Sequence, residues 1–344
     1  MQIGVSFDGF APYGEALTFA REAAAAGAGS LWMADHLGYR EPIVSCLGFA
    51  SAIEGVRVIP TAVSPYLRHP MPTAMQMATL AEAAPGRVAL ALGTGNPLFL
   101  GESGESIDKP IGVTRDFVQA LRALWTGEPV HQEAQRFRLR GARMMFTPPQ
   151  PIPLYLSPMK PQMLALAGKI ADGVVLSAGI SAGFVRESLA ITRSGAEEAG
   201  RNYDTLHTAS YLSFVASADR GHAIERVRMK LAFILRNRFI DDAIAHSGIK
   251  VDQAGIIEAM ARRDYAAAAS LVSDEAVDAF AVAGTVQECC DKLIAYRDAG
   301  LRELVLLLAG DLSDQRYGLS VIRELGGSPS TNSHLQPTPC RSSK

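Results

Sequence analysis

The 344-residue sequence predicts an α/β fold, a (β/α)8 TIM barrel with insertions. Three observations carry that prediction. Short apolar runs alternate with longer segments of helical spacing, the signature of a parallel sheet covered by helices. Eight such runs can be counted along the chain. Several of them run straight into small or polar residues: Ala34-Asp35-His36, Thr61-Ala62-Val63-Ser64, Gly93-Thr94-Gly95-Asn96, Ser157-Pro158-Met159-Lys160 and Ser177-Ala178-Gly179. In a barrel of parallel strands these ends converge on one mouth, where the chemistry of such folds is placed.

Residues 2–7 (QIGVSF) form the first strand, and 14–26 follow with helical spacing, ended by Gly27 and Gly29. Strand two spans 30–34, a helix 43–54 and strand three 57–63. The helix over 72–84 starts beside Pro70 and Pro72, where a missing N–H costs little. Strand four covers 87–92 and a helix 113–125. Between 127 and 149 the alternation stops, and 129–131 with 136–139 read as a hairpin inserted on the barrel rim. Strand five (153–156), a helix (161–170), strand six (173–176), a helix (182–199) and strand seven (207–216) restore the pattern. Residues 219–280 form a second insertion, a long helical stretch without strands, rich in Ala and Arg. A helix over 285–299, with Thr285 as N-cap and Gly300 as C-cap, leads to strand eight (303–308) and a short helix to 325. One domain therefore covers 1–325. The polar, Pro/Ser-rich tail 326–344 is expected to be disordered.

Composition narrows the function. A net charge of −2, with the signs mixed rather than blocked, argues against nucleic acid and against an anionic membrane surface. No apolar run is long enough to span a bilayer, and the N-terminus enters a strand without a signal-peptide layout. The four cysteines have neither a disulfide framework nor metal-ligand spacing, so a reducing cytoplasm is expected. The histidines show no metal-binding spacing and there is no GxSxG elbow, so neither a metal site nor a hydrolase triad is predicted.

At the mouth, Asp35 and His36 offer a carboxylate and an imidazole able to exchange a proton near neutral pH; the plainer reading is a solvated loop pair or an Asp capping the next helix. Gly93-Thr94-Gly95 lets a ligand approach the backbone closely but is no dinucleotide fingerprint, and it can equally be a turn. Ser157 to Lys160 and Ser177 to Gly179 each precede a helix: a phosphate could sit there, or Ser157 and Ser177 could simply be N-caps. Thr61, Ala62 and Val63, ahead of Pro65, form either a backbone shelf for a flat ring or only a strand exit. Arg226, Arg228, Arg236 and Arg238 lie on helical ground and read as solvated or paired, with an anionic cofactor tail as the lesser possibility.

Taken together these stretches resemble the luciferase-like (β/α)-barrel superfamily of flavin- and deazaflavin-dependent oxidoreductases, most of all its methylene-tetrahydromethanopterin reductase group. The resemblance runs in order from about residue 1 to 325. It rests on Leu31-Trp32-Met33-Ala34-Asp35-His36, Gly86-Arg87 with the strand to Gly93-Thr94-Gly95, Pro153-Leu154-Tyr155-Leu156, Ala171-Asp172-Gly173-Val174 and Gly284-Thr285. It implies coenzyme F420, an 8-hydroxy-5-deazaflavin, as cofactor. By position, Asp35 and His36 would face the ring, and Thr61, Ala62 and Val63 would form a bulge behind it that in the family often holds a non-prolyl cis peptide. Gly93, Thr94 and Gly95 would border the ring; Ser157, Pro158, Met159, Lys160, Ser177, Ala178 and Gly179 would meet the ribityl chain and phosphate. The methanopterin reductases carry acids where this chain has Ser6 and Asn96, which are therefore expected to contact a different small-molecule substrate. His36, oriented by Asp35, would hydrogen-bond the ring or relay a proton. An FMN-dependent monooxygenase and a non-catalytic binding barrel are the alternatives. Family members are commonly dimers or tetramers, so a homo-oligomer is expected, with the apolar helices at 43–53 and 71–80 as candidate faces.

Overall fold

The computed structural model describes residues 1–326; the expected disordered tail, apart from its first residue, lies outside the described residues. The strands are β1 (Gln2–Phe7), β2 (Ser30–Ala34), β3 (Arg57–Thr61), β4 (Leu90–Leu92), β5 (Val130–Glu133), β6 (Arg138–Ala142), β7 (Leu154–Leu156), β8 (Gly173–Leu176), β9 (His207–Ala216), β10 (Ala281–Gly284) and β11 (Glu303–Leu308). The main sheet runs β3-β2-β1-β11-β9-β8-β7-β4. Parallel bridges Val58–Val88 and Val63–Leu92 carry β3 back to β4, which makes a nearly closed barrel of eight parallel strands. The hairpin β5–β6 stands apart as an antiparallel pair, where the insertion was expected.

Because these strands are covered on both faces, they are apolar throughout rather than alternating. Trp32, Ile59, Ala91, Tyr155, Val175 and Val305 fill the barrel interior. A much larger layer packs between the sheet and the helices, with Phe49, Phe117, Phe214 and Phe280 fully buried. At the N-terminal end the interior is closed by a polar plug. Glu303 is fully buried and meets Arg57, Ser30, Trp32 Nε1 at 3.0 Å and His207 Nε2 at 2.6 Å. Burial pushes its carboxyl up, but His207 and Arg57 outweigh that and hold it at about 2.

Two sequence motifs do structural work. Arg87 donates to the carbonyls of Ala50, Ile53 and Val56 and so ties the end of the Pro42–Ala52 helix to β4. Asp172 accepts from Leu154 N at 2.8 Å and pairs with Arg122 at 2.8 Å. The Val286–Asp298 helix starts at Thr285 in a full capping box with Glu288, as expected.

The second insertion is helical and free of strands over 219–280, as expected, but it is not one continuous helix. It is broken into five helices: Arg220–Leu235, Asp241–Ser247, Gln253–Ala261, Tyr265–Ser270 and Asp274–Phe280. Asp219, Asp252, Asp264 and Ser273 each accept from the helix that follows, and Gly248 ends one in the left-handed region. It is followed by a strand that was not expected, β10, which lengthens the sheet alongside the last residues of β9. A further helix, Pro97–Glu102, follows β4, where no element was expected from the sequence. No helix among the described residues is long and apolar enough to cross a membrane.

Candidate active site

The C-terminal ends of the strands surround a cavity of about 290 Å³ on the barrel axis. Asp35 and His36 border it after β2, Thr61 and Ala62 at the end of β3, Gly93, Thr94, Gly95 and Asn96 after β4. Ser157 and Met159 enter from the β7 end, Ser177 and Ala178 from the β8 end, and Ser6 from β1. Most of the sequence-predicted residues are therefore brought together. Four are not. Val63 is fully buried in the core, since its N–H and C=O join the β3–β4 seam rather than a ligand. Lys160 pairs with Asp242 at 2.8 Å. Pro158 borders a small neighbouring crevice, and Gly179 turns beneath Ile234 at positive φ.

The floor of the cavity is backbone. The Thr61–Ala62 peptide bond is cis, as the resemblance led one to expect. Thr61 Oγ1 accepts from Tyr211 Oη at 3.0 Å, and burial pushes the Tyr211 hydroxyl well up, so it remains a donor at neutral pH. A Cβ on Gly93 would stand 2.9 Å from Ala62 Cβ, so this glycine is what leaves room beside the shelf.

His36 is held differently from the expectation. Its Nδ1 lies 2.9 Å from the Asp8 carbonyl oxygen. A carbonyl only accepts, so Nδ1 carries a proton and Nε2 is the nitrogen left to exchange one. Phe10 stacks on the ring at 5.3 Å and Phe99 meets it edge-on at 6.1 Å. Asp35 does not orient this imidazole. Its carboxylate pairs with Arg68 at 3.2 Å, and Arg68 also reaches Glu41 at 2.9 Å. Burial raises the Asp35 carboxyl, with Arg68 pulling the other way.

Two further readings are settled by the hydrogen bonds. Ser157 and Ser177 cap no helix, for Lys160 and Ser181 occupy the N-cap positions. Their hydroxyls are thereby left to the cavity. Asn96 is an N-cap: its Oδ1 accepts from Leu98 N at 2.9 Å, which commits that oxygen to the Pro97–Glu102 helix. Ser6 Oγ is buried and has no hydrogen-bond partner among the described residues. Arg226 pairs with Asp311 and, at 2.6 Å, with Asp314, so its charge is spent inside the protein.

Sequence reasoning missed Asp8, Phe99, Tyr211, Lys230, Phe233 and Asn237, all of which line the cavity. Lys230 and Phe233 are three apart on the Arg220–Leu235 helix and share one face, which was readable, whereas Asn237 lies past its end and caps the next turn. Tyr211 follows Ala209 on the inward face of β9, a position that strand alternation also marks. Asp8 and Phe99 carry no such signal.

Comparison with known proteins completes the picture. The chain is 27% identical over 307 residues to the 5,10-methylenetetrahydromethanopterin reductase of Methanolobus tindarius, covering 89% of this chain and 93% of that one. It is 28% identical over 311 residues to the F420-dependent glucose-6-phosphate dehydrogenase of Nakamurella multipartita, covering 87% of each. The structure of the coenzyme F420 dependent tetrahydromethanopterin reductase from Methanopyrus kandleri superposes with a TM-score of 0.85 at 24% identity, over 94% of this chain and 97% of that one. The model of the luciferase-like monooxygenase family matches residues 2–303, and the chain belongs to that family.

Proposed function

We propose that this protein is a coenzyme F420-dependent oxidoreductase, which moves a hydride between C5 of the deazaflavin and a C=N, C=C or C=O carbon of a small organic substrate. The observation that carries this reading is the axial cavity itself. It pairs a flat backbone shelf at Thr61 and Ala62 with an imidazole whose Nε2 is free, inside a chain similar to F420-dependent enzymes. The residues present fit the group. A planar ring needs a side-chain-free approach, which Gly93 and Gly95 supply.

Asp35, His36, Thr61, Ala62, Gly93, Thr94 and Gly95 would hold the ring. Ser157, Met159, Ser177 and Ala178 would meet its side chain, with free hydroxyls rather than helix caps. When bound, the deazaflavin supplies hydride transfer without easy one-electron or oxygen chemistry. The chain supplies the rest. His36 exchanges a proton at Nε2 while Asp8 fixes its tautomer. Phe10 and Phe99 hold the imidazole plane, and Phe233 with Phe239 narrows access of water from above. Positioning two reacting carbons in contact is then the largest contribution to rate.

A single domain over 1–325 is part of the same reading, as is a homo-oligomer. Val44, Leu47 and Met75 are exposed apolar side chains on the packed helices Pro42–Ala52 and Pro70–Ala83, which supports a shared face there. Among the described residues, three free buried cysteines support a reducing compartment such as the cytoplasm. The test of function is turnover. Reduced F420 should be oxidised by imine, enone or ketone acceptors at the same rate with and without oxygen. A requirement for oxygen and reduced FMN would instead make the protein a monooxygenase, the activity that the family is named for.

A further inference from the structure

A second chamber, of about 650 Å³, opens beside the axial cavity between β1, the Tyr13–Ala25 helix and the Leu312–Gly326 helix. The two spaces share Ser6, Asp8, Lys230 and Leu307 as a common neck. Its floor is apolar: Phe7, Phe19, Phe49 and Met33. The charges around it balance. Arg316 is paired at 2.8 Å with Glu22 outside the lining and Lys230 faces Asp8, which leaves Arg40, held by the Gly9 and Phe10 carbonyls, and Glu15.

We propose that this chamber is the acceptor subsite and that it takes an uncharged, largely apolar organic carbonyl compound. With the deazaflavin ring in the axial cavity, as proposed above, the chamber is the adjoining space open to a substrate body. The neck selects the polar end. Ser6 Oγ is buried beside the Tyr211 hydroxyl and makes no hydrogen bond of good geometry, and Lys230 Nζ has one contact, at 3.4 Å, with Asp8. Both are donors with capacity left, so they recognise an acceptor atom such as a carbonyl oxygen. A buried hydroxyl left unpaired is costly, and a ligand oxygen at the neck removes that cost. The aromatic floor disfavours a charged body, because an ion buried against it loses its hydration.

The test uses prodan, a neutral fluorescent naphthyl ketone, as the probe. Wild-type protein should bind it saturably with a blue-shifted emission. Ala16→Trp, which fills the chamber from the Tyr13–Ala25 helix, should weaken prodan at least about tenfold while the F420 titration stays unchanged. Ala16→Leu, a smaller intrusion, should weaken it by less, and keeps the test valid where the tryptophan variant fails to fold. Ser6→Ala should weaken prodan several-fold. Equal prodan affinity in wild type and both Ala16 variants overturns the proposal. So does F420 affinity that falls in step with prodan, since the chamber would then belong to the cofactor. Prodan binding that is blocked by Ala16→Trp in a protein that binds no F420 supports the subsite and overturns the deazaflavin reading instead.

Discussion

Replacing Glu303 with glutamine tests how the barrel floor is held together. The carboxylate is fully buried beneath Trp32 and shared between Arg57, His207 and Ser30. A carboxyl at about 2 in the folded chain and 4.5 in the unfolded one contributes about 3 kcal/mol at neutral pH. Because the folded value is depressed, that stability is present above the unfolded value and drains as pH falls toward 2. About 2 kcal/mol of it is gone by pH 3. Glutamine cannot carry the charge and leaves Arg57 and His207 facing a neutral group. The expected cost is therefore about 3 kcal/mol at pH 7, shrinking to about 1 kcal/mol at pH 3. Guanidinium unfolding followed by tryptophan fluorescence measures it, since Trp32 Nε1 donates to Glu303 and reports the site directly. A cost that stays constant from pH 7 to pH 3, or falls below about 1 kcal/mol at pH 7, refutes the charge-network account.

Four further outcomes are expected. His36→Ala should lower turnover by about 10²-fold or more, with the unfolding midpoint nearly unchanged; an unchanged rate removes its proton-exchange role. Asn96→Ala should cost about 1 kcal/mol of stability as a lost N-cap, while Asn96→Asp, which keeps the cap, should restore it. Gly93→Ala should weaken F420 binding measured by fluorescence, because the added methyl crowds Ala62 at the shelf; tight binding by the variant would move the ring elsewhere. Val44→Lys, at a position 67% exposed, should shift the sedimentation coefficient to that of a monomer, and an unshifted oligomer would place its interface on another face.

The barrel was legible in the sequence because its strands are buried on both faces. β1, β2, β8, β9 and β11 fall on the expected residues, each an apolar run framed by glycine or polar residues. β4 is shorter than expected, since Arg87 and Val88 join β3 only through an isolated bridge at Val58 and pairing with β7 starts at Leu90. β10 was not legible: Ala281-Val282-Ala283-Gly284 is four residues continuing an apolar helix, and only its pairing with β9 makes it a strand. The site was legible to the extent that topology alone places strand ends together. The partners within it were not. Asp35 and His36 are neighbours in sequence, yet each is claimed by a different group, Arg68 and Asp8, from different loops. Lys160 and Asn96 were expected to face a ligand, but Asp242 and the first turn of the Pro97–Glu102 helix satisfy them first. Spacing along a chain reports which end of the barrel a residue occupies, and not which hydrogen bond it makes there.

The measurement that tests the central claim most directly is a parallel fluorescence titration of the purified protein with coenzyme F420 and with FMN. Saturable binding of F420, at least about tenfold tighter than FMN and weakened by His36→Ala, is the predicted result. FMN binding more tightly than F420, or F420 binding indifferent to both His36→Ala and Gly93→Ala, would contradict it.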